Sequence, residues 1–271
     1  MREVIEFSQN EPLSTMQSFY IKDRRVGLVP NLVVVKAGRK WFETNSWGLK
    51  GAEPEPGKKL VVIWGDSVVF GIGSPTWVDM IGEHFAQYQF LNGGIEGTTA
   101  DDIVERAIRV NQEHPIDVNV LFPGWHPSSP VGSVNTTIEK VLREGVEKIP
   151  NCILSTVPTA LNEQILDTDL TPYENADGPA SADNPAKFWG WGRDLSPSTM
   201  KSVYERLLER NTIIRRVAQE KEIPLLDWFA AMRTTSLEDF NKDFYDPAHP
   251  RPKSYAKIAQ IWAEGLRPYL R

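Results

Sequence analysis

The chain has 271 residues, is 41% hydrophobic and 24% charged, and carries a formal net charge of -6. That is the composition of a globular protein able to bury a sizeable core, and it excludes disorder on a large scale. With 30 Lys and Arg against 36 Asp and Glu, and no basic run beyond short pieces such as Arg215-Arg216, there is no clustered positive surface for phosphates, which argues against nucleic acid as a partner.

The N-terminal stretch MREVIEFSQNEPLSTMQ has no uninterrupted apolar core of a signal peptide, and no later run reaches the roughly 18 apolar residues of a membrane span. The expected compartment is therefore the cytoplasm, with secretion open if a signal peptide has been removed. Residues 1–56 contain strand-like pieces such as RVGLVPNLVVVKAGRKWF and are expected to be an extension packed on a main domain at 57–271. In that domain, strand-like KLVVIW (59–64) is followed by helical WVDMIGEHFAQ (77–87), strand-like YQFLNGG (88–94) and helical TADDIVERAIRVNQE (99–113), which opens on cap-forming Thr and Asp. Strand 117–124, helix 133–150, strand 151–158, helix 198–222, strand 223–228 and helix 253–270 complete the alternation. The single cysteine, Cys152, lies in the fourth of these strands; it excludes an intrachain disulfide and a cysteine-built zinc cluster, and it reads as a small buried apolar group.

Strands that are apolar throughout and alternate with helices predict a parallel sheet covered on both faces, with working residues at the carboxyl ends of the strands. The segment 159–197 interrupts the pattern with Asp, Asn, Pro and Gly, and a loop of that length in a compact domain is either functional or mobile. Its Trp189 and Trp191 either stack on sugar rings or pack a lid onto the domain. Trp64 and Trp262 fall in periodic apolar segments and are expected in the core.

The strand ends bring chemistry together. The first strand stops at Gly65-Asp66-Ser67, the second at NGGIEGTT (92–99), the third at PGWHP (123–127), and YDPAHP (245–250) precedes the last helix. Gly-Asp-Ser by itself reads as a capped turn. Joined by Asp246 and His249, three residues apart, it reads as a nucleophile with its base: the carboxylate holds one imidazole nitrogen and the other faces the Ser67 hydroxyl. The N–H groups of Ser67 and Gly97 are candidate oxyanion donors, to be completed by a side chain in 124–127. A metal site built on Asp246, His249 and His126 would leave Ser67 unexplained, and no metal or organic cofactor is implied.

This constellation resembles the SGNH or GDSL hydrolases. The resemblance rests on GDS at 65–67, on NGGIEGTT with Gly97 at the glycine of the second block, and on DPAH at 246–249; TNSWGLKG (44–51) looks like the lead-in that often precedes the first block. Where the family has Gly-x-Asn-Asp, this chain has Gly124-Trp125-His126-Pro127, so His126 stands in place of the oxyanion-hole asparagine. The resemblance implies a three-layer α/β/α sandwich of flavodoxin-like type and a Ser67-His249-Asp246 serine esterase acting on short acyl esters, O-acetyl groups on carbohydrate above all. Trp125 is then a candidate wall of the acyl pocket. An acyltransferase on the same triad and a non-catalytic carbohydrate-binding relative are the alternatives; in each case the partner is a small-molecule or glycan ester.

Overall fold

The structure, a computed structural model, describes residues 2–7, 20, 27–125, 134–159, 161–163, 166, 197–232, 242–244 and 248–270. Its centre is a five-stranded sheet of β4 (Lys59–Gly65), β5 (Tyr88–Gly94), β6 (Val118–Leu121), β7 (Cys152–Ser155) and β8 (Leu225–Leu226), every neighbour pair parallel. The order is β5-β4-β6-β7-β8, the 2-1-3-4-5 winding of flavodoxin-like sheets. Such a sheet reverses its direction of winding between its first and third strands, here β4 and β6, and a crevice opens there beyond the carboxyl ends.

Helices cover both faces, giving the three-layer sandwich. The short helix α1 (Ser67–Phe70) leaves β4 directly, α2 (Trp77–Ile81) follows, and α3 (Ala100–Glu113) and α4 (Val134–Val146) come next. The long α5 (Pro197–Glu220), a single turn α6 (Trp228–Ala231) and the closing α7 (Tyr255–Leu266) complete the described helices. One face is sealed by the indoles of Trp77, Trp228 and Trp262, whose ring centroids lie 5.2, 4.7 and 5.0 Å apart, tying α2, α6 and α7 into one apolar block. On the other face α4 packs between α3 and α5.

Element types follow the sequence pattern, while several ends differ. β5 matches its expected span, and Thr99 caps α3, its hydroxyl accepting from Asp102 N–H while the Asp102 carboxylate reaches back to Thr99. The helix expected over 77–87 stops at Ile81 and continues as a 3₁₀ turn to His84. The strand expected over 223–228 is only Leu225–Leu226, because Asp227 accepts Ala230 N–H and starts α6. The strands expected over 117–124 and 151–158 end at Leu121 and Ser155. Cys152 is buried and burial pushes its thiol up to about 12, so it stays an unreactive apolar group.

The N-terminal strands form a separate sheet: β1 (Glu3–Phe7) runs parallel to β2 (Leu32–Lys36), and β3 (Arg39–Glu43) is antiparallel to β2. Its apolar side, with Phe7, Leu32, Val34 and Phe42, packs on Phe70 at the end of α1 and on Ile95 after β5. Phe42 meets Phe70 edge to face at 5.2 Å, so this sheet lies against the helix that begins at Ser67.

Candidate active site

Ser67 is the first residue of α1, at the point where β4 ends. Asp66 is its N-cap: one carboxylate oxygen accepts from Val68 N–H at 3.0 Å and turns the chain from strand to helix within a single residue. The Ser67 Oγ lies 2.8 Å from His249 Nε2, which arrives from 182 residues further along the chain, and both residues are 5% exposed. His249 is held by a closed loop: Phe244 bridges Pro250, Arg251 N–H donates to Asp243 O, and the Arg251 guanidinium donates to Phe244 O. The Asp243 carboxylate, buried beneath, accepts from the Ser254 hydroxyl and pairs with Lys257 at 2.5 Å, fixing that loop to the start of α7.

The backbone around Ser67 is fully engaged on its carbonyl side. Phe70 and Gly71 N–H close on Asp66 and Ser67 carbonyls, the Trp77 indole donates to Val68 O, and Asn92 Nδ2 donates to Val69 O. Lys50 Nζ takes the last two, Phe70 O at 2.7 Å and Gly71 O at 3.2 Å. The donor side is different: neither the Ser67 nor the Gly97 N–H is spent on a hydrogen bond among the described residues. Gly97, at φ 67, follows β5 on the same carboxyl edge as Ser67.

The third strand end is drawn to the same place. Trp125 N–H donates to the second oxygen of Asp66 at 2.6 Å, so one carboxylate joins the start of α1 to the stretch that follows β6. Gly124 makes this approach sterically possible: its φ is +79, and a Cβ there would stand 2.9 Å from Asp66 Oδ2. The Trp125 ring is buried in the core with its indole N–H on Pro158 O at 3.0 Å, which leaves only ring surface for any ligand. His126, Asp246, Trp189 and Trp191 lie outside the described residues.

Three buried cations that sequence reasoning did not single out surround this centre. Arg106 ties the ends of β4 and β5 together through Gly65 O and Gly93 O. Arg210 donates to Gly124 O and Trp125 O. Burial lowers both guanidinium pKa values to about 10, with Asp66 pulling back up, so both remain charged at neutral pH. A signal was present for each: Arg106 shares the buried stripe of α3 with Ile103 and Val110, and Arg210 that of α5 with Leu207 and Ile214.

Lys50, brought in by the lead-in 44–51, is lowered to about 7 by burial, against the attraction of Asp79 and Glu96. Its ordinary value is 10.5, so between about pH 7 and 10.5 the unfolded chain holds a proton that the folded chain has released, and stability rises with pH across that window. Relative to Lys50→Met, the wild type is expected to gain up to about 1.4 kcal/mol per pH unit there and nothing further below pH 7. Urea unfolding of the two proteins across that range measures the difference directly; parallel curves would exclude the shift.

No protein-family model matches the sequence, and no curated protein matches it. Solved structures do. A lipase/acylhydrolase from Enterococcus faecalis superposes with a TM-score of 0.55 at 19% identity, covering 79% of this chain and 97% of its own. The chain has the SGNH/GDSL hydrolase fold. An acetyl xylan esterase (TM-score 0.52, 17% identity, 76% and 99% covered) and a GDSL-like lipase from Bacteroides thetaiotaomicron (0.51, 18%, 81% and 93%) superpose in the same way. At these identities the likeness carries the SGNH/GDSL architecture. In that architecture Ser67 falls at the end of the first strand of the parallel sheet, beside the winding switch. Among the described residues no helix is long and apolar enough to cross a membrane.

Proposed function

We propose that the protein is a serine esterase that hydrolyses short acyl esters. The observation that carries this reading is the buried 2.8 Å contact between Ser67 Oγ and His249 Nε2 at the sheet's carboxyl edge. With the imidazole proton on Nδ1, Nε2 accepts the hydroxyl proton as Oγ attacks the ester carbonyl, and returns it to the departing alkoxide. Asp246 holds Nδ1 and stabilises the imidazolium that forms. The tetrahedral oxyanion is received by the N–H groups of Ser67 and Gly97, with the His126 side chain as third donor. Water, activated by the same imidazole, then attacks the acyl-enzyme and releases the acid. The preferred substrate is an O-acetyl group on a carbohydrate. That choice is supported by the superposed acetyl xylan esterase, and by the tryptophans of the 159–197 segment as flat surfaces for sugar rings.

Incubation with p-nitrophenyl acetate and with a fluorophosphonate probe tests the reading. Wild type is expected to release p-nitrophenol and to gain one phosphonyl adduct, mapped by peptide mass to Ser67; Ser67→Ala should show neither. Absence of both turnover and adduct in the wild type would favour a non-catalytic carbohydrate binder, and acetyl transfer to an added sugar faster than to water would favour an acyltransferase.

A further inference from the structure

The helix that begins at Ser67 is a single turn, too short to hold itself, and its last carbonyls are taken up by side chains from three other parts of the chain. The Trp77 indole takes Val68 O, Asn92 Nδ2 takes Val69 O at 2.8 Å, and Lys50 Nζ takes Phe70 O at 2.7 Å and Gly71 O at 3.2 Å. Lys50 is 3% exposed. Its backbone is fixed to β5, its N–H donating to Asn92 O at 3.0 Å, and its amine lies 4.1 Å from the centre of the Phe70 ring and 5.5 Å from that of Phe42. Asp79 of α2 and Glu96 after β5 attract it. Enclosing a lysine to satisfy two carbonyls carries a desolvation cost that carbonyls open to water would not incur. What the lysine adds is a rigid link: residue 50 joins the end of α1 to β5, and α1 carries Ser67 one turn away.

We propose that Lys50 is a positioning residue for ester hydrolysis: it fixes the carboxyl end of α1 to β5 and so holds Ser67 Oγ at 2.8 Å from His249 Nε2, where the proton can pass. The proposal rests on the serine-esterase reading. His249 comes from the loop before α7, so the distance between Oγ and Nε2 is set by how α1 sits against a different element. A one-turn helix that rocks at its far end displaces Oγ at its near end. Misalignment of this kind slows attack on the ester carbonyl and leaves ground-state binding little changed. The hold does not depend on charge, because an uncharged amine still has two N–H groups, one for each carbonyl. Met at position 50 supplies none and leaves two carbonyls without this donor. Gln matches Met in length and offers two N–H groups from a nitrogen one bond closer to the backbone than Nζ, so it restores part of the hold.

Steady-state kinetics on p-nitrophenyl acetate with wild type, Lys50→Met and Lys50→Gln separate this role from a merely structural one. Active enzyme is counted by fluorophosphonate titration carried to completion, so that loss of folded protein does not enter kcat. The expected result is a fall in kcat of about 30-fold for Met and about fivefold for Gln, with KM changed by less than about twofold in each. A structural role alone would lower the fraction of titratable enzyme and leave kcat per active site unchanged, and that result would overturn the proposal. A loss confined to KM, or a Gln variant as slow as the Met variant, would overturn it too. If Lys50→Met does not fold, Lys50→Gln decides alone: a lowered kcat at unchanged KM supports the role and a wild-type kcat overturns it. A wild type that neither turns over nor labels would reject the esterase reading and the positioning role with it, whereas an active wild type with unaffected Lys50 variants rejects the positioning role only.

Discussion

His249→Ala is expected to lower kcat on p-nitrophenyl acetate by about 10⁴-fold or more while the protein stays folded. The hydroxyl of Ser67 has His249 Nε2 at 2.8 Å, and a serine without a base at hydrogen-bond distance remains a poor nucleophile at neutral pH. The same loss is expected for Ser67→Ala, and the double variant should be no slower than either single one, because the two groups act as one unit in a single proton-coupled attack. Both residues are nearly enclosed, so the substitution also opens a small void; circular dichroism and urea unfolding establish that the variant is native before its rate is interpreted. Losses of the two single variants that multiply in the double would show independent roles and exclude the nucleophile-base pair. A His249→Ala enzyme that reacts with the fluorophosphonate at the wild-type rate would do the same.

The second large effect is expected at Gly94, where the last residue of β5 touches the backbone of α1. A Cβ built there would stand 2.3 Å from Phe70 N, 2.7 Å from Val69 C and 2.8 Å from Phe70 Cα. All three are main-chain atoms, held in turn by Asp66 O, Asn92 and Lys50, so no side chain can swing aside to make room. Gly94→Ala must therefore push α1 off the sheet, at a cost of about 1–3 kcal/mol from overpacking. Because Ser67 begins that helix, the shift moves Oγ relative to Nε2 as well, and the rate of Ser67 phosphonylation should fall by at least about 100-fold, the scale of loss that follows a misplacement of about 1 Å. Urea unfolding and labelling kinetics on the same sample read the two effects. Unchanged stability with unchanged labelling would mean that α1 sits further from β5 than the contacts here require.

The two substitutions act through different levels of the chain. His249 was legible as a partner of Ser67 because Gly-Asp-Ser after an apolar strand and Asp-x-x-His before the last helix are local patterns, and a parallel α/β sheet sends both toward the same edge. β5 and α3 were legible nearly to the residue, because a run of buried residues bounded by glycines and a Thr-x-x-Asp capping box are written in neighbouring positions. The helix that begins at Trp228 was less so: Asp227 serves equally well at the end of a strand or as an N-cap, and the cap bond to Ala230 decides between them.

Lys50, Arg106 and Arg210 show where local reading stops. Arg106 and Arg210 fall on the buried stripes of recognised helices, which signals that they turn inward, but nothing within a few residues of any of the three names the group it will meet. Their roles depend on carbonyls far along the chain: Phe70 for Lys50, Gly65 for Arg106, Gly124 for Arg210. The dual use of Asp66 is of the same kind, its cap bond to Val68 being local and its bond to Trp125 spanning 59 positions.

By itself, then, the sequence determined a parallel α/β sheet with Ser67 at the end of its first strand, since hydrophobic period and cap residues act over one or two turns of chain. Only the tertiary structure decided that Ser67 Oγ and His249 Nε2 meet at 2.8 Å, and that Lys50, Arg106 and Arg210 are buried on the carbonyls of neighbouring strand ends and turns. The physical reason is that an isolated buried charge is tolerated only where the fold delivers its partners, and those partners are chosen by the packing of strands and helices, not by their neighbours in the chain.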